Sequence, residues 1–271
     1  MQALITSAKR IVKAHSPLPF SVYSSGQEQH ILNVPVNNPL LVCVLNGHKQ
    51  LGSQDATHCP AGSFVFLSNR PGIDMRNIPA GAEYFALLLE FEQEDFDGFT
   101  GHQASARRHL QGLLQPLLTD ALRQLIEWSA YAPPALWGLR RREILHTLHH
   151  LGHREVAALV APPSLGYRVQ CLIGSRMAEE VGMPFLSAAL AMSESTLRRK
   201  LAHEGTSLQA IKDRVKLGHG LHLVQTTASP IGLIAEQCGY HSQSRFTDKF
   251  KSLFGITPTE LRKTRMIETG E

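Results

Sequence analysis

Ile234-Ala235-Glu236-Gln237-Cys238-Gly239-Tyr240-His241-Ser242-Gln243-Ser244-Arg245-Phe246-Thr247-Asp248-Lys249-Phe250 reads as two short helices joined by a tight turn. Ala235 is small enough to let the helices cross closely, and Gly239, four residues on, supplies a positive φ at the turn. Ser242 stands four and eight residues before Phe246 and Phe250, the spacing of an N-cap followed by one buried helical stripe. The pattern recurs 49 positions earlier, where Ser193 precedes Leu197 and Leu201. Ser187 and Ala191 hold the corresponding places there; Ala is a poorer turn residue than Gly, so that turn is the less well specified. Pro230 sits where a first-turn proline belongs. Gly255 stops the second stripe, and Thr257-Pro258-Thr259-Glu260 opens a last helix with an N-cap, a first-turn Pro and a capping-box Glu. Two helix-turn-helix units, about 184–204 and 230–254, thus stand in one chain.

The run from Ile234 to Pro258, closing in Gly255-Ile256-Thr257-Pro258, resembles the signature of the AraC/XylS family of bacterial transcription regulators. The resemblance extends back through Met192-Ser193-Glu194-Ser195-Thr196-Leu197 to about residue 169. It implies a sequence-specific DNA-binding regulator, an activator in type, that lays two recognition helices in successive major grooves of double-stranded DNA and contacts RNA polymerase. The candidate DNA-binding residues are Ser193, Ser195, Thr196, Arg198 and Arg199 on the first recognition helix. On the second they are Ser242, Gln243, Ser244, Arg245, Thr247, Asp248 and Lys251. Arg pairs with guanine O6/N7, Gln with adenine, and Ser or Thr with bases or phosphates. Asp248 departs from the family, which usually has a basic residue there; a carboxylate lowers affinity for phosphates but accepts from cytosine N4 or orients Arg245.

Charge agrees in its distribution more than in its total. The net charge is only +4, but residues 1–100 carry 6 Lys and Arg against 9 Asp and Glu, whereas 169–271 carry 13 against 10. The excess gathers at Arg198-Arg199-Lys200 and at Arg245, Lys249 and Lys251. Taken alone, such runs are usually solvated helix faces. A chain of 271 residues divides naturally into two domains. Cys43, Cys59, Cys171 and Cys238 show no CxxC or metal spacing and read as reduced apolar residues of a cytoplasmic protein. No segment approaches a membrane span. Lys9, Arg10 and Lys13 lie among Leu4, Ile5, Ala8, Ile11 and Val12 in an amphipathic pattern unlike a signal peptide.

The expected fold is α+β: an N-terminal cupin-like β-barrel with helices over residues 1–160, a linker over 161–168, and an all-α domain over 169–265 with two helix-turn-helix motifs joined by a long helix. Leu40–Leu45 reads as a buried strand ended by the turn Asn46-Gly47, Ala61–Leu67 as a second, and Tyr84–Phe91 as the clearest. Short strands between Gly, Pro and Asn suggest a small barrel or sandwich. Cys59-Pro60-Ala61-Gly62-Ser63 resembles the Pro-x-Gly turn of cupin-like barrels, which many regulators of the family carry as an effector domain. A cupin enzyme would need a His-x-His pair; His30, His48 and His58 are isolated, so neither catalytic residues nor a metal or cofactor is expected. Control by a small-molecule effector is the first reading, control by a partner protein the alternative.

Leu110, Leu113, Leu114, Leu117 and Leu118 fit one helical stripe, continued past Pro116 by Leu122, Leu125 and Ile126. Ile144, Leu145, Leu148 and Leu151 fit another. They either cover the barrel or make a homodimer interface, as such helices commonly do in the family. His146, His149, His150 and His153 line one face beside Arg140-Arg141-Arg142; a solvated His-rich face is favoured over a metal or pH-sensing site. Ala161-Pro162-Pro163-Ser164 is the linker candidate. Ser207 to about Gln225 should be one helix with Ile211, Val215, Leu217, Leu221 and Val224 as apolar positions. In it Gly218 and Gly220 are weak points, each costing ~1 kcal/mol relative to Ala. Gly220 suits close packing on a neighbour, and the pair would also allow bending.

Overall fold

The computed structural model describes residues 1–15, 17–52, 56–69, 72–99, 107–160, 164–177, 179 and 181–265. Helix α1 (Gln2–Ala14) turns Leu4, Ile5, Ala8 and Ile11 inward and leaves Val12 exposed. Eight strands follow: β1 (Ser21–Ser25), β2 (Gln29–Val34), β3 (Leu40–Asn46), β4 (His48–Leu51), β5 (Thr57–Pro60), β6 (Ser63–Leu67), β7 (Ile73–Ile78) and β8 (Tyr84–Glu90). Strand β9 (His109–Leu113) precedes the helices α2 (Pro116–Trp128), α3 (Trp137–His150) and α4 (Val156–Leu159).

The strands form two antiparallel sheets, ordered β1-β8-β3-β6-β9 and β2-β7-β4-β5. The five-stranded sheet is covered on both faces. Leu41, Cys43, Leu45, Phe64, Phe66 and Phe85 meet α1 to α4, while Val42, Val44, Val65 and Ala86 face the second sheet. Double coverage explains why β3 and β8 run apolar without alternation. The Asn46-Gly47 and Ala61-Gly62 turns occur as expected, with Gly47 at φ 74° and Gly62 at φ 85°. Ser63 Oγ donates to the Pro60 carbonyl across the second turn at 2.6 Å.

One helical expectation fails. Leu110 and Leu113 lie in β9, which pairs with β6, and the helix begins only at Pro116. The Leu spacing also fits a strand and a turn, and Pro116, lacking an N–H, is suited to a helix start and not to an interior. Leu113 and Leu117 are consequently exposed. Leu118, Leu122, Leu125 and Ile126 of α2, with Ile144, Leu145 and Leu148 of α3, pack on the outer face of the five-stranded sheet. That is the covering role. Arg141 of the same helix is buried and paired with Asp95 and Glu92.

The remaining helices are α5 (Leu165–Gly174), α6 (Met183–Ala189), α7 (Glu194–His203), α8 (Leu208–Thr226), α9 (Ile231–Gln237), α10 (Gln243–Phe254) and α11 (Pro258–Lys263). The proposed linker residues 161–163 lie outside the described residues. Ser164 caps α5, its side chain accepting from the Tyr167 amide, and Glu204 accepts from the Leu165 and Gly166 amides at 2.9 and 2.8 Å. A carboxylate there faces the positive end of the helix. Helix α8 is continuous, capped by Ser207 and buried at Ile211, Val215, Leu217, Leu221 and Val224. Its two glycines are contact points. A Cβ on Gly220 would lie 2.8 Å from the Phe246 ring, which matches the expected close packing. A Cβ on Gly218 would lie 2.8 Å from Pro35 Cγ of the barrel, so Gly218 is where the linking helix meets the other domain, not a bare weakness in it.

The segment from β2 to β3 reaches both helical units. Tyr167 donates to Asn38 Oδ1 at 3.3 Å and Gln170 Nε2 to the Asn37 carbonyl at 3.2 Å, both from α5. Asn33 Nδ2 donates to the Leu253 carbonyl of α10 at 3.2 Å. The first unit keeps its own core around Leu186, Leu197, Leu201 and Ile211. In contrast, the core of the second unit, with Phe246, Phe250 and Phe254, is continuous with the inner face of the sheets.

Candidate nucleic-acid interface and an interdomain cavity

In the first unit α6 and α7 are joined by a turn in which Ala191 takes φ 50°. The backbone thus adopts the left-handed turn despite the Cβ penalty, and Met192 N closes it on the Ser187 carbonyl at 3.0 Å. Ser193 caps α7 by accepting from the Thr196 amide. Its hydroxyl also bonds Thr196 Oγ1 at 2.9 Å and lies 3.1 Å from Ser195 Oγ. Leu197 and Leu201 are buried, which forces Ser195, Arg198, Arg199 and Lys200 outward; Thr196 is half-buried. Arg198 sits one turn from Glu194 and pairs with it at 3.4 Å.

The second unit repeats this with a longer turn. Gly239 takes φ 70°, and Tyr240 N bonds the Ala235 carbonyl at 2.9 Å. Ser242 caps α10 by accepting from the Arg245 amide. Phe246, Phe250 and Phe254 stack down the buried face, with centroids 5.6 and 4.6 Å apart. Burying each ring is worth roughly 1.5–3 kcal/mol. Gln243, Ser244, Arg245, Asp248 and Lys251 are left exposed and Thr247 half-buried. Lys249 instead pairs with Asp213 of α8 at 3.1 Å, tying the second recognition helix to the linking helix. Gly255 ends α10 at φ 75°, and the Thr257–Glu260 capping box opens α11 as the sequence predicts. All twelve candidate contacts therefore fall on the first turns or outer faces of α7 and α10, while the serine caps and Thr196 are already engaged within their helices.

Among the described residues no group of three or more His, Cys, Asp or Glu is placed to hold a metal ion. His146 and His149 lie against Phe99, and His153 meets Phe64 edge-on at 5.0 Å.

Sequence reasoning missed a cavity of about 530 Å³ between the inner face of the sheets and α8. Its walls are largely apolar, from Phe20, Ile31, Val42, Met75, Leu88 and Leu221. Lys49 of β4 reaches it from the sheet, only 3% exposed, and no other Lys or Arg lines it among the described residues. Its ammonium donates to Asn77 Oδ1 at 2.6 Å and stands 5.7 Å from the Tyr84 ring centre, with no carboxylate paired to it among the described residues. Burial pushes the Lys49 amine down to about 8, against a smaller opposing effect of Cys59. The buried Tyr84 hydroxyl, also on the wall, has no hydrogen-bond partner among the described residues. On the helix side His222 Nδ1 lies 3.3 Å from the Tyr23 hydroxyl; burial lowers the pKa of His222 and of His219, the latter also through His222. The signal for Lys49 was present: along His48–Leu51 it shares the inward phase with Leu51, where a charge is out of place.

Two helix-turn-helix units joined by one helix are thus set on an antiparallel β domain. Residues 186–264 match the family described as Helix-turn-helix domain. The chain is 34% identical over 104 residues to the HTH-type transcriptional regulator GadX of Escherichia coli O6:H1, covering 38% of each protein. It is 31% identical over 100 residues to the HTH-type transcriptional regulator YdeO of Shigella flexneri, covering 37% of this chain and 39% of YdeO. The chain thus matches well under half the length of these relatives. Over nearly its whole length it shares a fold with unsaturated fatty acid-bound ToxT from Vibrio cholerae strain SCE256, with TM-score 0.65, 13% identity and coverage of 95% and 99%. The family match and both relatives fall on the C-terminal domain, which is thus similar to the DNA-binding part of HTH-type transcriptional regulators, as the resemblance to the AraC/XylS signature led one to expect. No helix among the described residues is long and apolar enough to cross a membrane.

Proposed function

We propose that this chain is a sequence-specific DNA-binding transcription regulator whose affinity for its site is set by a small molecule in the interdomain cavity. The observation that carries the first part is the pair of serine-capped helices, α7 and α10, each turning arginine and small polar side chains outward from a buried apolar stripe. Arg198, Arg199 and Arg245 supply guanine or phosphate contacts, Gln243 an adenine contact, and Ser195, Ser244 and Lys251 backbone positioning. The two helices read half-sites about 10–10.5 bp apart on one face of the duplex. An activating role and contact with RNA polymerase are carried over from the family. Selection of bound sequences from a random duplex pool by the purified full chain tests this reading. It predicts a bipartite motif with one helical turn between halves; a featureless pool would defeat it.

The cavity favours a small molecule over a protein partner as the controlling agent, since a filled interior would leave no room for one. Its chemistry points to an apolar body carrying one anionic group: the walls are largely apolar, the buried Lys49 ammonium has no carboxylate paired to it among the described residues, and the one carboxylate on the lining, Glu90, stands on the exposed side beside Asn38. The bound fatty acid of ToxT is of that class. Calorimetric titration with dodecanoate, comparing the full chain with Lys49→Met, tests the assignment. Binding that the substitution weakens tenfold or more is expected, and equal binding by both would refute the anchor.

A further inference from the structure

Lys49 does not end in the cavity wall; it begins a line of hydrogen bonds that crosses the domain boundary. Gln29, Asn77 and Lys49 lie directly opposite one another on β2, β7 and β4. The adjacent inward rung is Ile31, Met75 and Leu51, all apolar. One polar rung therefore crosses an otherwise apolar sheet face. Lys49 donates to Asn77 Oδ1 at 2.6 Å, and Asn77 Nδ2 donates to Gln29 Oε1 at 2.8 Å. Gln29 Nε2 then donates to Thr264 Oγ1 beyond α11 at 2.8 Å and to Gln225 Oε1 of α8 at 3.3 Å. Gln225 Nε2 returns a bond to Gln29 Oε1 at 3.2 Å. Lys49, Asn77, Gln29 and Gln225 are all 3% exposed or less.

The direction of this line is imposed from one end. An ammonium has donors and no acceptor, so the Asn77 oxygen must face it. The Asn77 amide nitrogen then faces Gln29, and the Gln29 nitrogen faces Thr264 and Gln225. A reversed carboxamide would set donor against donor and acceptor against acceptor along the line, so the arrangement is held as a unit. We propose that this rung couples the cavity to the helix-turn-helix domain: an anion that draws the Lys49 ammonium away from Asn77 releases the carboxamides and loosens the Gln29–Gln225 and Gln29–Thr264 links. The ligand-dependent part rests on the anion reading of the cavity; the rung itself does not.

The test separates the two. Hydrogen exchange is followed on the full chain in peptides covering residues 222–227 and 261–265. Without any ligand, Lys49→Met should speed exchange there at least threefold, and should have no such effect in a Gln29→Met background. Equal effects in both backgrounds would show that the rung carries nothing. With dodecanoate, Gln29→Met should bind within threefold of wild type, while the ratio of DNA affinities with and without dodecanoate moves at least fivefold toward one. An unchanged ratio overturns the coupling. Gln225→Met cuts the same link from the helix side and should reproduce the exchange result if Gln29→Met does not fold. Absence of dodecanoate binding by the wild-type chain would remove the ligand reading alone, leaving the exchange comparison to decide the rung.

Discussion

Arg199 and Arg245 occupy equivalent places in chemistry though not in geometry: Arg245 is exposed on the first turn of α10 and Arg199 on the second turn of α7, each on a helix whose apolar stripe fixes the outward face. Replacing either by Ala should cost ~1–3 kcal/mol of specific binding and relax discrimination at one base position. Anisotropy titrations at fixed salt on the selected site and its single-base variants measure both effects, and wild-type affinity in either variant would remove that arginine from the reading set. Lys49 makes a prediction in pH. Its folded pKa of about 8 lies below the ordinary value of 10.5, so the unfolded chain holds more protons between those limits. Stability relative to Lys49→Met should therefore rise with pH from about 8 to about 10.5. Dodecanoate affinity should move the opposite way, falling by up to about tenfold per pH unit above pH 8 as the ammonium that attracts the carboxylate is lost. A titration flat across that range would mean that Lys49 does not hold the carboxylate. This residue escaped sequence reading because its one signal, the shared phase with Leu51, spans only a four-residue strand, and the pairing of β4 with β5 and β7 is what places it inside.

Among the elements, α8 shows what a helix pattern conveys and what it omits. Ser207, the apolar positions and the suitability of Gly220 for close packing were legible, because each depends on local geometry; that the neighbour is Phe246 came only from the fold. The role of Gly218 was not, because its neighbour is Pro35, far away in the chain. By helix propensity alone Gly218→Ala should stabilise by up to ~1 kcal/mol. The structure reverses the sign. A methyl 2.8 Å from a rigid pyrrolidine ring cannot be accommodated by a side-chain rotation, and overpacking of this kind costs typically ~1–3 kcal/mol. Gly218→Ala should lower the melting temperature of the full chain, and Pro35→Ala, which removes Cγ, should restore most of the loss. Stabilisation by Gly218→Ala alone would show that the barrel does not rest on α8 there. Strand β9 is the converse case: its leucines obeyed a helical period, but Pro116 and the open edge of β6 decided the outcome.

At the scale of the molecule the two halves are unequal partners. The proposed boundary between residues 160 and 169 was drawn on Pro162 and Pro163, and composition can locate such a spacer without saying what packs across it. The first helix-turn-helix unit closes its own core, whereas the second shares one with the sheets through Leu217, Leu221 and Val224 of α8. We propose that a fragment from about residue 165 to 271 still folds and binds DNA, because its caps are complete and its aromatic stack, Phe246 to Phe254, is internal to it. Removing the barrel strips Gln225 of its Gln29 partner and Gly218 of its Pro35 contact, so the loss should concentrate on α8 and on the second unit. The expected result is one cooperative thermal transition at a lower midpoint than the second half shows within the full chain. Exchange should be fastest at residues 217–227 and near that of the full chain at 194–203. A soluble fragment without cooperative unfolding would mean that the barrel completes the second unit's core, and would move the functional boundary to include β2 and the loop after it. DNA affinity of the folding fragment then reads the sign of control: tighter binding than by the full chain marks the barrel as a restraint on the recognition helices, and weaker binding marks it as the support that sets their spacing.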